Sequence, residues 1–131
     1  MFAPAVVSSL VGLLAAGGGP MTLASAPPVV VKAVPESGSG DVDPKSREIR
    51  VTFSKDMKAG WSWNKTPDAA FPKTTGEPRF EKDQRTCVLP VSLEPGKTYA
   101  LWLNSVKGGN FRDAGGQLAV PYLLIFKTHE R

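Results

Sequence analysis

One cysteine, Cys87, and one histidine, His129, are all that the 131-residue chain holds of two residue types that most often carry nucleophilic or metal chemistry. A lone cysteine excludes an intrachain disulfide, so the domain must stand on its core. It also leaves no cysteine near the N-terminus for a lipid anchor. His129 lies near the C-terminal end, where fraying is expected and a rigid triad with Ser or Cys is not. Charge is missing from the first 26 residues, the first charged side chain being Lys32. Clustered basic charge is missing as well. The net charge is +4, but Lys32, Lys45, Arg47, Arg50, Lys55 and Lys58 stand apart, which argues against a nucleic-acid partner.

Long apolar runs are absent too. The stretch Val6–Ala16 has the length of a secretory-signal core but falls short of the ~20 apolar residues that span a bilayer. Gly17, Gly18, Gly19 and Pro20 break it, and small residues follow through Ala24, Ser25 and Ala26. That order predicts an export signal over residues 1–26, cleaved near Ala24 or Ala26, with no membrane span once it is removed. No basic residue precedes the apolar core, and Pro27 is a poor residue after a scissile bond, so Ala24 is the alternative cleavage point. The expected location is secreted, periplasmic or cell-envelope, with residues 27–131 as one domain.

The body of the chain alternates with period two. Ile49, Val51 and Phe53 alternate with Arg50, Thr52 and Ser54; Cys87, Leu89, Val91 and Leu93 with Val88, Pro90 and Ser92; Tyr99, Leu101 and Leu103 with Ala100, Trp102 and Asn104. Tyr122, Leu124 and Phe126 do the same against Leu123, Ile125 and Lys127. Each run reads as a half-buried strand. Val29–Val34 reads as a first strand ended by Pro35, and Gly60–Asn64 as a third. Pro90 predicts an edge or a bulge in its strand. Twelve prolines oppose long helices. Turn-rich segments between the runs complete an all-β pattern, an immunoglobulin-like β-sandwich of about seven antiparallel strands.

Several segments together resemble bacterial Ig-like domains of the type found in surface-layer and envelope proteins. They are Pro28-Val29-Val30, Pro35-Glu36-Ser37-Gly38, Asp43-Pro44, and Ile49 through Met57. Leu93-Glu94-Pro95-Gly96-Lys97-Thr98-Tyr99 resembles the turn into the penultimate strand of such domains, and Phe111–Gly116 with Phe126-Lys127-Thr128 their closing loop and last strand. The physics of the turn agrees: Gly96 permits a tight reversal, and Tyr99 can bury its ring while its hydroxyl bonds nearby backbone, a tyrosine corner with Leu93 and Pro95. The resemblance implies a structural or binding role, with no enzyme activity and no cofactor. Small periplasmic copper-carrying domains share such a sandwich, but they offer an N-terminal histidine or methionine-rich loops. Here neither expected mature N-terminus is histidine, and Met57 would be the one remaining methionine.

Chemistry is sparse elsewhere. Cys87 shares the inward phase and is expected to be a buried, inert thiol. Asp41, Asp43 and Asp113 lack a calcium-loop pattern and read as turn formers. Glu77 and Glu81 give no defined acid/base pair. Neither a catalytic nor a metal site is assigned. What stands out is aromatic: Trp61 and Trp63 would share one face of an extended strand, while Trp102, Leu123 and Ile125 fall out of phase with the inward set. If the Gly60–Asn64 strand joins the last two in one sheet, Trp61, Trp63, Trp102, Leu123 and Ile125 would form an exposed apolar face. Against this, Trp61 and Trp63 could point into the core, or the Phe71–Phe80 segment could lie over them. The expected role is a non-catalytic module for protein interaction, adhesion or structural spacing, with an envelope protein, a polysaccharide or a second copy as partner. The alternative is a carbohydrate-binding module stacking glycans on the tryptophans.

Overall fold

The structure, a computed structural model, describes residues 19–130; the apolar core of the expected export signal lies outside the described residues, as does Arg131. Eight strands form: β1 (Val30–Val34), β2 (Glu48–Phe53), β3 (Trp63–Asn64), β4 (Lys73–Thr74), β5 (Arg79–Phe80), β6 (Thr86–Ser92), β7 (Thr98–Leu103) and β8 (Tyr122–Lys127). They build two antiparallel sheets, one ordered β1-β2-β6-β4 with β5 also paired to β6, the other β3-β7-β8. The expected sandwich is thus present with one strand more than anticipated. No helix among the described residues is long and apolar enough to cross a membrane.

The alternating runs point as their period requires. Ile49, Val51 and Phe53 of β2, Cys87, Leu89 and Val91 of β6, Tyr99, Leu101 and Leu103 of β7, and Leu124 and Phe126 of β8 are all buried in one cluster between the sheets. Phe111, from the long segment after β7, sits among the aromatics: its ring centroid lies 5.1 Å from Phe53, 5.5 Å from Trp63 and 6.4 Å from Phe80. Edge-on and tilted pairs of this kind suit the ring quadrupoles. Val88, out of phase with the core, is nevertheless buried. It stands between Arg50 and Arg79 in a cross-strand row, where Arg stems can cover apolar surface while their heads pair with Glu48 and Glu81.

Two expectations change here. Pro90 lies neither on an outer edge nor in a bulge: β6 is flanked on both sides, by β2 and by β4 and β5. Its missing N–H falls in the gap between the short strands β4 and β5, where Thr75 N–H reaches the Pro90 carbonyl (3.1 Å). A sheet tolerates proline at such an interruption because no ladder donor is needed there. The C-terminal end is not frayed, since His129 N–H donates to Val42 O (3.0 Å) and Gly96 N–H to His129 O (2.9 Å).

The tyrosine corner forms as anticipated. Tyr99 is buried with its ring 5.6 Å from Phe126, and its hydroxyl accepts from Glu94 N–H (2.9 Å). Gly96 takes a φ of 67°, a left-handed turn conformation that a side chain resists. Leu93 packs against the core from one flank. Thr128, fully buried, donates its hydroxyl to Glu94 O (2.6 Å) and accepts from Lys97 N–H (2.9 Å). This pins β8 to the same turn.

Candidate functional site

Register decides which tryptophans face out. In an antiparallel pair, directly opposed residues share a face. Trp63 opposes Leu103, and Asn64 opposes Trp102, which in turn opposes Leu123. Leu103 is buried, so Trp63 is turned inward with it, edge-on to Phe111 at 80°. Trp61 packs against the core as well. These two residues share a face as expected, but it is the inner one, and the five-residue apolar face shrinks accordingly. The β3 ladder is two residues long; the pull that sets its phase is the aromatic space beside Phe111, not alternation.

The outer face that remains is a row of Asn64, Trp102 and Leu123, with Ile125 in the next row opposite the small Ala100. Leu123 and Ile125 are 36% and 38% exposed, and Trp102 is half-buried. Lys127 opposite Thr98 closes the row toward one end. The free edge of β8 is sealed by the loop between β1 and β2. Ser37 Oγ donates to Leu123 O (3.0 Å) and accepts from Ile125 N–H (3.1 Å), while Gly38 N–H donates to Ile125 O (2.6 Å). Contact on this sheet is therefore made by side chains of the face and not by strand addition at that edge. Asn64 was absent from the expected site, although its place one residue after Trp63 in a strand put it on the opposite face from the indole.

The other chemical candidates are occupied structurally. Cys87 is fully buried, and burial pushes its thiol up to about 12. The buried Trp63 Nε1 has no hydrogen bond of ordinary geometry, although the indole N–H acts on the Cys87 sulfur in the direction that favours thiolate. Burial outweighs it. Glu81 pairs with Arg50 (3.3 Å) and Arg79 (3.6 Å), and Glu77 is exposed. Glu48 pairs with the same two arginines at 3.2 Å each, and the hydrogen bond from Arg79 does most to hold its carboxyl below the usual range. Asp43 Oδ1 accepts from Lys45 N–H (2.8 Å), a turn-forming bond. Among the described residues no cluster of three or more His, Cys, Asp or Glu side chains is arranged to hold a metal ion.

Two polar residues, Asn104 and Asp113, organise the far end of the sandwich. Asn104 is buried at a φ of 61°. Its Oδ1 accepts from Phe111 N–H (3.0 Å), and its Nδ2 donates to Phe111 O (2.9 Å) and Ala119 O (3.1 Å). A Cβ on Gly109 would land on the Asn104 amide, so this loop closes around the asparagine. Asp113 is buried against Lys55 Nζ (2.7 Å) and accepts from Gln117 N–H (2.8 Å). The lysine hydrogen bond does most to hold its carboxyl below the ordinary value. A turn role for Asp113 was anticipated; the buried ion pair was not.

The family model described as Bacterial Ig-like domain matches residues 24–128. Among solved structures, the chain is similar to CopC from Methylosinus trichosporium OB3b, with 14% identity and a TM-score of 0.56 over 79% of this chain and 95% of that one. It is also similar to the S-layer protein rSbsC(31-844), with 19% identity and a TM-score of 0.52 over 82% of this chain and 14% of that much longer one. Both likenesses are at the level of the fold. No curated protein matches the sequence.

Proposed function

This chain belongs to the bacterial Ig-like domain family, and from that premise we propose that it serves as a non-catalytic module of the cell envelope or its exterior. In this reading it engages an envelope protein, or a second copy of itself, through the outer face of the β3-β7-β8 sheet. The observation that carries the proposal is the alignment of Trp102 with Leu123 across the strands, beside Ile125, with both aliphatic side chains open to solvent. Trp contributes large contact area at small entropic cost and is enriched where binding energy concentrates. The fold likeness to an S-layer protein and to CopC supports an extracytoplasmic setting, and so does the expected export signal.

A second reading, glycan stacking, draws on Asn64 opposite Trp102: an amide beside an indole offers sugar hydroxyls both a donor and an acceptor. One set of measurements separates the two. Residues 19–131 are run on size exclusion with light scattering over a concentration series, then tested for retention on immobilised envelope polysaccharide. The protein is compared with Trp102→Ser and with Val31→Ser on the other sheet. Association that Trp102→Ser weakens at least tenfold, with Val31→Ser unchanged, supports protein docking. Monomers throughout, with polysaccharide retention lost in Trp102→Ser, support the glycan reading. Neither association nor retention responding to Trp102→Ser sinks both.

A further inference from the structure

Residues 22–26 carry the two points at which the export signal is expected to be cut, and the folded body grips that stretch. Three successive carbonyls are taken by side chains from elsewhere in the chain. Lys55 Nζ donates to Ala24 O and to Ala26 O (2.9 Å each), and Gln117 Nε2 donates to Ser25 O (2.9 Å). The gripping lysine is itself fixed, because Asp113 holds it at 2.7 Å with the two side chains 20% and 4% exposed. Gln117 in turn bonds Asp113 through its own backbone N–H. The stretch is also folded on itself. Thr22 N–H donates to Ser25 Oγ (2.9 Å), Ser25 N–H to Thr22 Oγ1 (3.0 Å), and Ala26 N–H to Thr22 O (2.9 Å). Side chains at 22–25 face solvent, so what a protease meets there is a locked backbone, not a buried one.

We infer that this clamp is a processing gate: once the domain has folded, residues 22–26 resist cleavage, and removal of the export signal must precede folding. Endopeptidases bind their substrates in extended form through the backbone. The same carbonyls that a protease would address are engaged by Lys55 and Gln117, and the turn has to unravel before the segment can extend. Cleavage of a folded chain then proceeds through the locally opened population, which each bond of the clamp diminishes. Charge-assisted bonds such as those from Lys55 count most. The cut positions are not equivalent either. Cutting after Ala24 would leave the Ser25 and Ala26 carbonyls on the body, whereas cutting after Ala26 would forfeit all three contacts.

The inference rests on the export-signal reading for its biological sense, and the test keeps the two apart. The full folded chain and a free peptide of residues 1–31 are each treated with elastase, which cuts after small residues, and with a bacterial leader peptidase; products are read by intact mass. The wild-type chain is compared with Lys55→Met and with Thr22→Ala/Ser25→Ala, which opens the turn without touching Asp113. Thermal melts confirm that each variant remains folded. Elastase should cut the folded wild type within 22–26 at least tenfold more slowly than the peptide, with Lys55→Met recovering most of that difference and the turn variant a smaller part of it. Leader peptidase should cut the peptide and spare the folded chain. Folded wild type cut as fast as the peptide by either enzyme overturns the gate. Protection from elastase together with a peptide that leader peptidase ignores leaves the clamp standing and removes the export signal.

Discussion

Asn104 offers a direct test of how the end of the sandwich is held. Replacing it with alanine deletes three bonds, to Phe111 N–H, Phe111 O and Ala119 O. Phe111 O keeps the Ala119 N–H as a partner (2.9 Å), so two backbone groups, Phe111 N–H and Ala119 O, lose the side-chain partner that satisfies them. Each unsatisfied buried group costs about 1–3 kcal/mol. Alanine at a φ of 61° adds strain of about 1 kcal/mol that asparagine tolerates better. The expected loss is about 3–7 kcal/mol, a large share of the ~5–15 kcal/mol that holds a domain together, and a fall in Tm of roughly 12 °C or more. Urea melts of wild type, Asn104→Ala and Asn104→Gly apportion the effect, because glycine relieves the backbone strain while losing the same bonds. Asn104→Gly should recover only about 1 kcal/mol of the Asn104→Ala loss. If Asn104→Ala costs less than ~1 kcal/mol, the amide is not what satisfies this loop, and the account given for the Phe111 segment is wrong.

Two further outcomes follow from the same geometry. Tyr99→Phe keeps the ring against Phe126 but orphans Glu94 N–H, which should cost about 1–2 kcal/mol. Combined with Thr128→Val, whose hydroxyl bonds the same turn at Glu94 O, the losses should be non-additive in a double-mutant cycle; strict additivity would deny that the corner acts as a unit. Cys87 gives a pH signature. Its folded-state thiol is pushed up to about 12 by burial, against ~8.5 in an unfolded chain. Above ~8.5 the unfolded state releases its proton first, so this contribution is intact at lower pH and is lost as pH rises toward 12, at up to about 1.4 kcal/mol per pH unit. Urea melts from pH 8 to 10 should show that decline in wild type and less of it in Cys87→Ala; identical slopes would place the thiol in water. Maleimide labelling of Cys87 should likewise proceed only as fast as unfolding.

Much of this protein was legible in its sequence wherever a strand was long enough to count. Runs of five or more alternating residues, as in β2, β6, β7 and β8, set which of their faces enters the shared core, because a pleated strand sends alternate side chains to opposite faces. The Leu93–Tyr99 corner was readable because glycine and tyrosine each have a specific local task there. Trp102, Leu123 and Ile125 were placed outward by the same parity argument, and the tertiary structure agrees. Other features had no such local determinant. β3 is two residues long, so parity could say that Trp61 and Trp63 share a face but not which one; the aromatic space around Phe111 decided it. Phe111 itself lies in a turn-rich segment where no period announces burial. Asn104 and the Lys55–Asp113 pair depend on partners 7 to 58 residues away, and the C-terminal end is held by Val42 and Gly96 from two other loops. The sequence by itself determined the sandwich, its main strand phases and its corner, since those follow from nearest-neighbour sterics and the two-residue repeat. Which tryptophans are offered to a partner, and how residues 22–26 are held, were decided only when distant segments met. Short ladders and single polar side chains take their orientation from whichever neighbour satisfies them.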